Sequence, residues 1–292
     1  MDRRAAWSQF PALWQSRHRR DSVGRGLVFL FLLLASLAYV APLAWMLSTA
    51  LKSNEQLYRI PSGWVPNPIR WDNFVRAVRV FPFLLYLRNS LVTSVVPVIG
   101  VLLSSTLVAY AFARVNWVGR DLMFIVVLAT LMLPFQVTFI PTYVIFAKLK
   151  MINTFYPLIL PSFFGGAWNI FFLRQFFRGI PLDLSDAATI DGCSHLDILW
   201  RIMVPLAKPA LATIGVFTFM HHWNDLFAPI IYLSKQELYT LQIGLTFFIN
   251  EYTTEWQLLM ASSLLVLMPS IVIFFVGQKY FVQGITMTGI KG

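Results

Sequence analysis

The sequence predicts an all-α membrane protein of six spanning helices, and three observations predict it. Hydrophobic residues make up 58% of the 292 and charged residues only 12%. Mean hydropathy is +0.67. The chain also holds six apolar stretches of spanning length. A soluble domain carries about 25% charged residues, so this chain has too few to cover itself in water. Lipid offers no partners to backbone N–H and C=O groups, which leaves helices or closed barrels. The apolar runs are continuous and lack the alternation of barrel strands. They read as helices.

A span needs about 20 apolar residues. Runs free of Asp, Glu, Lys and Arg that meet this length are 26–51, 89–113, 122–147, 151–173 and 256–278. The fifth span in chain order, 209–234, is interrupted by a single acid, Asp225. Ahead of the first span lies a basic arm, 1–25, with Arg3, Arg4, Arg17, Arg19 and Arg20. No small-residue cleavage site follows the first apolar run, which is long for a signal peptide, so it reads as a retained helix.

Six spans place both termini on one side. With that side cytoplasmic, the inner segments hold fourteen Lys and Arg and the outer segments nine. Cytoplasmic loops collect basic residues, so both termini are expected inside a cell membrane that the chain crosses many times. The same distribution accounts for the net charge of +10, and no nucleic-acid partner is expected. A lone cysteine, Cys193, excludes an internal disulfide and a cysteine-cluster metal site.

Two connections are long enough to fold. The outer one, 52–88, carries Pro61, Pro66, Pro68 and Pro82, with Trp64 and Trp71 as interfacial anchors. It is expected to cap the outer face with a short amphipathic helix around 72–80. In the inner one, 174–208, Asp183 or Ser185 can cap a helix, and Asp186 falls in or near its first turn, where negative charge is favoured. Gly192 is a left-handed stop. Ser194 can cap a second helix, in which Leu196, Leu199, Ile202 and Met203 recur at helical spacing. Pro205 and Pro209 then end it. Ala187 and Ala188 give the first helix a narrow waist that a partner's backbone can approach, with Asp186 and Asp191 placed to meet basic groups. An ordinary amphipathic helix resting on its own bundle fits the same residues.

A resemblance bears on that choice. Asp186-Ala187-Ala188, Asp191-Gly192, Ile202, Pro205 and Pro209 resemble the cytoplasmic E-A-A-x-x-D-G loop, with its downstream I-x-x-P-x-x-x-P, of permease subunits of bacterial ATP-binding-cassette importers. Asp186 stands in place of the usual Glu and Cys193 in place of a small Ala. Arg88-Asn89-Ser90, Ala109-Tyr110-Ala111-Phe112-Ala113-Arg114, Trp223-Asn224-Asp225 and Tyr239-Thr240-Leu241 resemble the carbohydrate branch of that family. The tail Gly284-Ile285-Thr286 with Gly289-Ile290-Lys291-Gly292 is similar to that of the maltose-type second permease subunit.

The resemblance implies a type I importer permease fold with a cytoplasmic coupling helix. It divides the chain into the arm 1–25, a permease domain 26–282 with a coupling loop at 174–208, and a cytoplasmic tail 283–292. It implies a sugar importer in a bacterial inner membrane, surrounded by lipid, with this chain as half of the solute pathway. Its partners are then an ATP-binding-cassette ATPase dimer, a second permease subunit and an extracytoplasmic solute-binding protein. This chain binds no cofactor, and ATP and Mg sit on the ATPase. The residues implied in ATPase coupling are Asp186, Ala187, Ala188, Asp191, Gly192 and Pro205, with Gly284, Gly289 and Lys291 as tail contacts.

An acid inside a span costs about 3 kcal/mol on insertion scales, so Asp225 is expected to face a cavity or a partner. Trp223, Asn224 and Asp225 are therefore candidates for lining the solute pathway or a gate. Alternatively, the cluster holds a helix bend by hydrogen bonding. His221 and His222, about 100° apart around a helix, do not form a metal site with Asp225. No G-x-x-x-x-G-K-[ST] run is present, so ATP hydrolysis is not expected on this chain. The rival readings are a proton-coupled secondary transporter, an intramembrane enzyme built on His221, His222 and Asp225, and an importer permease for a solute other than a sugar.

Overall fold

A computed structural model describes residues 10–61, 63–249 and 254–287, with side chains described for 24–61, 63–249 and 254–279. Its long elements are all helical, and the one extended pairing among the described residues is a single bridge between Ile249 and Thr254. These residues fall into two compact units, one running to Phe74 and including Trp256–Ala261, the other comprising Val75–Glu255 and the chain from Ser262.

In the first unit α1 covers Phe10–Ala50. It begins sixteen residues before position 26, so the helix extends back through part of the basic arm. Phe29 and Phe31 are about 70% exposed, as lipid-facing side chains are. The last carbonyls of a helix have no partner within it, and the following segment supplies partners. Arg70 N–H donates to the Leu51 carbonyl at 2.9 Å. The Asn73 carboxamide donates to the carbonyls of Ala50 and Lys52, each at 2.9 Å. Trp64 packs edge-on against Trp45 at 4.9 Å, and the Lys52 ammonium lies 4.3 Å from the Trp45 ring centre. Burial pushes that ammonium below the ordinary lysine value. The connection forms two short helices, α2 (Asn54–Leu57) and α3 (Asp72–Ala77), the second within the stretch 72–80 where a helix is expected.

The second unit is organised on α4, Phe83–Arg114, an unbroken helix of 32 residues. Next come α5 (Arg120–Ala129), α6 (Phe135–Lys148), α7 (Tyr156–Ile159) and α8 (Ala167–Gly179). The connecting loop contributes α9 (Asp183–Ile190), α10 (His195–Ile198) and α11 (Val204–Leu206). The chain closes with α12 (Lys208–Trp223), α13 (Phe227–Tyr232), α14 (Leu241–Thr246) and α15 (Trp256–Met287). Val101, Ala109, Tyr110 and Phe112 of α4 share one buried core with Leu173 and Phe177 of α8, Ile198 of α10 and Ile214 of α12. Gly100 allows the close approach of α4 to the turn before α8, since a Cβ there would lie 2.6 Å from the Phe163 ring.

Four described helical stretches are long and apolar enough to span: Gly24–Ala50, Phe83–Arg114, Tyr156–Gly179 and Trp256–Lys279. Two further helix pairs pass the same test only when taken together across a bend, Arg120–Met132 with Phe135–Lys148 at 98° and His195–Leu206 with Lys208–Trp223 at 78°, the second pair beginning inside the inner connection 174–208 rather than at 209. The described residues thus hold four such helices, or up to six where each bent pair is one span. The third span is expected to be continuous and is broken at Leu133–Pro134. Proline has no N–H and forces its predecessor out of the helical region, and Leu133 sits at φ −80°, ψ 115°.

Candidate functional site

The loop helix α9 starts from Leu182, whose carbonyl accepts from the N–H groups of Ser185 at 2.8 Å and Asp186 at 3.0 Å. Neither Asp183 nor Ser185 is the cap, contrary to the sequence expectation. Asp183 and Asp186 instead place two carboxylates in the first turn, where they favour the helix dipole without capping it. The far end follows the sequence reading closely. Gly192 is left-handed, with φ +83°. Its N–H donates to the Thr189 carbonyl at 3.0 Å, and the Cys193 N–H donates to Ala188 at 2.9 Å, which is a Schellman ending. Ser194 then opens α10 through a capping box with Asp197. The Asp197 N–H donates to Ser194 Oγ and the Ser194 N–H to Asp197 Oδ2, each at 3.2 Å.

Beyond α10 the helix widens into a π turn at Leu199–Met203 before Pro205. Proline removes the N–H that would bond four residues back, and a wider turn absorbs the loss. The extra residue shifts the register. Ile198, Leu199 and Met203 are buried, whereas Leu196, expected on the apolar face, is 61% exposed. Pro205 does not end the segment. The bend falls after Leu206, with Pro209 in the first turn of α12.

This geometry divides the acidic helix into two faces. Ala188 is 7% exposed and packs into the core, so only one of the two waist alanines looks outward. Asp183, Leu184, Asp186, Ala187, Ile190 and Asp191 are all exposed. Asp186 and Asp191 take part in no ion pair among the described residues. Gly192 has nothing within 4 Å of the position a Cβ would take.

The platform beneath α9 was not legible as a site in the sequence. The Arg114 guanidinium donates to the Phe177 carbonyl at 2.6 Å and to the Ile180 carbonyl, at the end of α8. The Tyr110 hydroxyl lies 3.2 Å from His195 Nδ1, at the start of α10. Arg174 donates to the Phe112 carbonyl at 3.2 Å and lies 3.9 Å from the Phe124 ring centre. The sequence signal was indirect: Tyr110 and Arg114 belong to the motif closing the second span, quoted above only for its resemblance.

In the fifth span, Trp223 is 2% exposed, and its indole N–H donates to the Val266 carbonyl of α15 at 2.9 Å. Asn224 is exposed and donates to the Met220 carbonyl at 2.8 Å. Asp225, half-buried, accepts from the Ala228 N–H at 3.2 Å and so starts α13. These bonds lie at the break between α12 and α13. The break in the third span meets this one: Phe227 lies 6.1 Å from Phe135 and 5.1 Å from Phe139. No His, Cys, Asp and Glu group among the described residues is placed to hold a metal ion.

Two motifs far apart in the sequence come together at the other end of α4. The Asn89 carboxamide donates to the carbonyls of Glu237 at 2.8 Å and Tyr239 at 2.9 Å, and Ser90 Oγ accepts from the Leu241 N–H at 2.8 Å. In the tail, Gly284 lies on α15, which runs to Met287. Gly289 and Lys291 lie outside the described residues.

Residues 98–287 match the family model described as binding-protein-dependent transport system inner membrane component. An arabinooligosaccharides transport system permease protein of Halalkalibacterium halodurans is 33% identical over 263 residues, 88% of this chain and 94% of that protein. The protein of the same description in Bacillus subtilis is 32% identical over 274 residues, 93% of this chain and 97% of that protein. The crystal structure of a bacterial ABC transporter involved in the import of the acidic polysaccharide alginate has a chain that matches with TM-score 0.79 at 24% identity. The match covers 90% of this chain and 98% of that one and establishes the fold. Motifs, fold and relatives agree, and the chain belongs to the family of binding-protein-dependent inner-membrane transport components, as a permease subunit of an ATP-binding-cassette importer.

Proposed function

We propose that this permease imports a sugar, an oligosaccharide in the first instance, and is driven by a separate ATPase through the loop 183–205. The observation that supports the drive most directly is the two-faced helix α9. Its exposed face is acidic and alanine-waisted, while Ala188 beneath is packed into the bundle core. Asp186, Ala187 and Asp191 form the contact surface. Gly192 fixes the exit of the helix, and Pro205 with its π turn sets the path into α12. The oligosaccharide reading rests on the two arabinooligosaccharide permeases that this chain resembles over most of its length.

On this reading the chain spans a bacterial inner membrane with the loop and both termini in the cytoplasm. A second permease completes the pathway, and an extracytoplasmic binding protein delivers the solute. ATP and Mg are held by the ATPase dimer, whose closure pulls α9 and switches the pathway between two states. The tail from position 283 adds a contact to the ATPase. Irregular backbone at membrane depth is tolerated where it is buried in protein or lines a water-filled cavity. The meeting of two helix breaks at Phe135 and Phe227 supports a pathway running beside Asn224 and Asp225. Trp223, turned inward, holds the wall of that pathway to α15.

The test is reconstitution of the whole assembly in vesicles with its binding protein and an arabino-oligosaccharide. ATP-dependent uptake, abolished by reversing Asp186 and Asp191 to Lys with loss of the co-purifying ATPase, is the expected result. Uptake driven by a proton gradient without ATP would overturn the reading.

A further inference from the structure

The core helix α4 is tied at both ends, and each tie reaches a segment remote in sequence. At one end Arg114 holds the carbonyls of Phe177 and Ile180, the residues that lead into the coupling helix. One turn earlier Tyr110 holds His195, in the segment that leads out of it. Both roots of α9 are thus fastened to a single helix. A guanidinium is suited to this work, since its fork of donors satisfies two helix-terminal carbonyls at once and its charge complements the helix end. At the other end of α4, Asn89 holds the carbonyls of Glu237 and Tyr239, and Ser90 receives the Leu241 N–H. Those three residues lie in the connection between α13 and α15.

Continuity matters as much as the ties. The helix is interrupted between α5 and α6 and between α12 and α13, and the fourth span changes from helix to a tighter turn at Leu160–Phe164 before resuming. A pull on one half of a broken span is absorbed at its break. Across 32 residues, α4 runs as one continuous helix through Pro97, a length of about 48 Å. It is also tied by side-chain hydrogen bonds at each end.

The geometry points to α4 as the rod of the transport stroke: Arg114 and Tyr110 take up the movement of the coupling loop, and Asn89 and Ser90 hand it to the 236–241 segment on the opposite side of the membrane. This rests on the reading that an ATPase pulls α9. It makes Arg114, Tyr110, Asn89 and Ser90 positioning residues, whose loss separates ATP turnover from movement at the far side.

The experiment places a reporter at the far end, in the assembled complex with its ATPase in vesicles. Lys235, exposed beside the tied segment, is changed to Cys in a Cys193→Ser background, and its labelling rate by a membrane-impermeant maleimide is compared without nucleotide and with ATP and vanadate. The parent is expected to show an ATP-dependent change in rate. Arg114→Ala and Asn89→Ala are each expected to shrink that change about tenfold, the loss of one to two strong hydrogen bonds, while the ATPase still co-purifies and hydrolyses ATP. Arg114→Lys, which keeps the charge and loses the fork, restores part of the change. Tyr110→Phe and Ser90→Ala, milder changes, give smaller reductions. An undiminished ATP-dependent change in Arg114→Ala or Asn89→Ala with the ATPase bound overturns the rod, and so does a parent that binds the ATPase and shows no change. A parent that binds no ATPase overturns the proposed function first, and the rod with it.

Discussion

The Asn89 carboxamide and the Tyr239 carbonyl lie 2.9 Å apart across 150 residues of chain. The same side chain also donates to the Glu237 carbonyl, so one buried amide satisfies two backbone acceptors. A buried acceptor that loses its donor costs about 1–3 kcal/mol. Asn89→Leu is therefore expected to lower the thermal midpoint of the purified complex more than Ser90→Ala, which frees one backbone N–H. Equal midpoints for the two variants would mean that water replaces the amide.

The two waist alanines separate packing from docking. Ala188 is enclosed by the core, and a leucine there overpacks it at a cost of about 1–3 kcal/mol. Ala187 is exposed, so Ala187→Leu should leave stability within about 0.5 kcal/mol. Thermal unfolding of the detergent-solubilised chain is expected to fall for Ala188→Leu alone. ATPase co-purification is expected to fall for Ala187→Leu although that variant is fully folded.

Gly192 acts through its backbone. No neighbour stands within 4 Å of a Cβ there, so Gly192→Val introduces strain rather than a clash. A left-handed conformation costs an L-residue about 1–2 kcal/mol, and a valine is expected to unwind the Schellman ending. The expected result is about a tenfold loss of ATPase affinity with membrane insertion unchanged. Titration of the ATPase onto vesicles measures it, and unaltered affinity would remove Gly192 from the docking geometry.

Arg174 joins two helices from a buried position, bonded to the Phe112 carbonyl and stacked on Phe124. Arg174→Met keeps the stem and loses both contacts. The expected cost is about 2 kcal/mol, read as a lower thermal midpoint. Phe124→Leu, which removes only the ring, is expected to cost less.

Gly100 is a steric demand. A Cβ would meet the Phe163 ring at 2.6 Å. Gly100→Val is expected to push the fourth span from α4 and destabilise the chain by about 1–3 kcal/mol. Phe163→Ala in the same chain should recover part of that loss, which a double-mutant cycle on thermal stability reads directly.

The sequence by itself determined that the chain lives in lipid, where its apolar runs lie, and how its loop helix ends. Hydropathy is a sum over a window, and a Schellman ending or a capping box is made by residues within one turn, so Gly192 and Ser194 announce themselves locally. Only the tertiary structure decided that Ala188 turns inward while Ala187 turns outward, that the Trp223 indole is buried against α15, and that a π turn moves Leu196 off the apolar face. It alone joined Arg114 to Ile180 and Asn89 to Tyr239, 66 and 150 residues apart. Those partners are set by how whole helices lie against one another, and no local periodicity records which carbonyl a side chain will reach across a bundle.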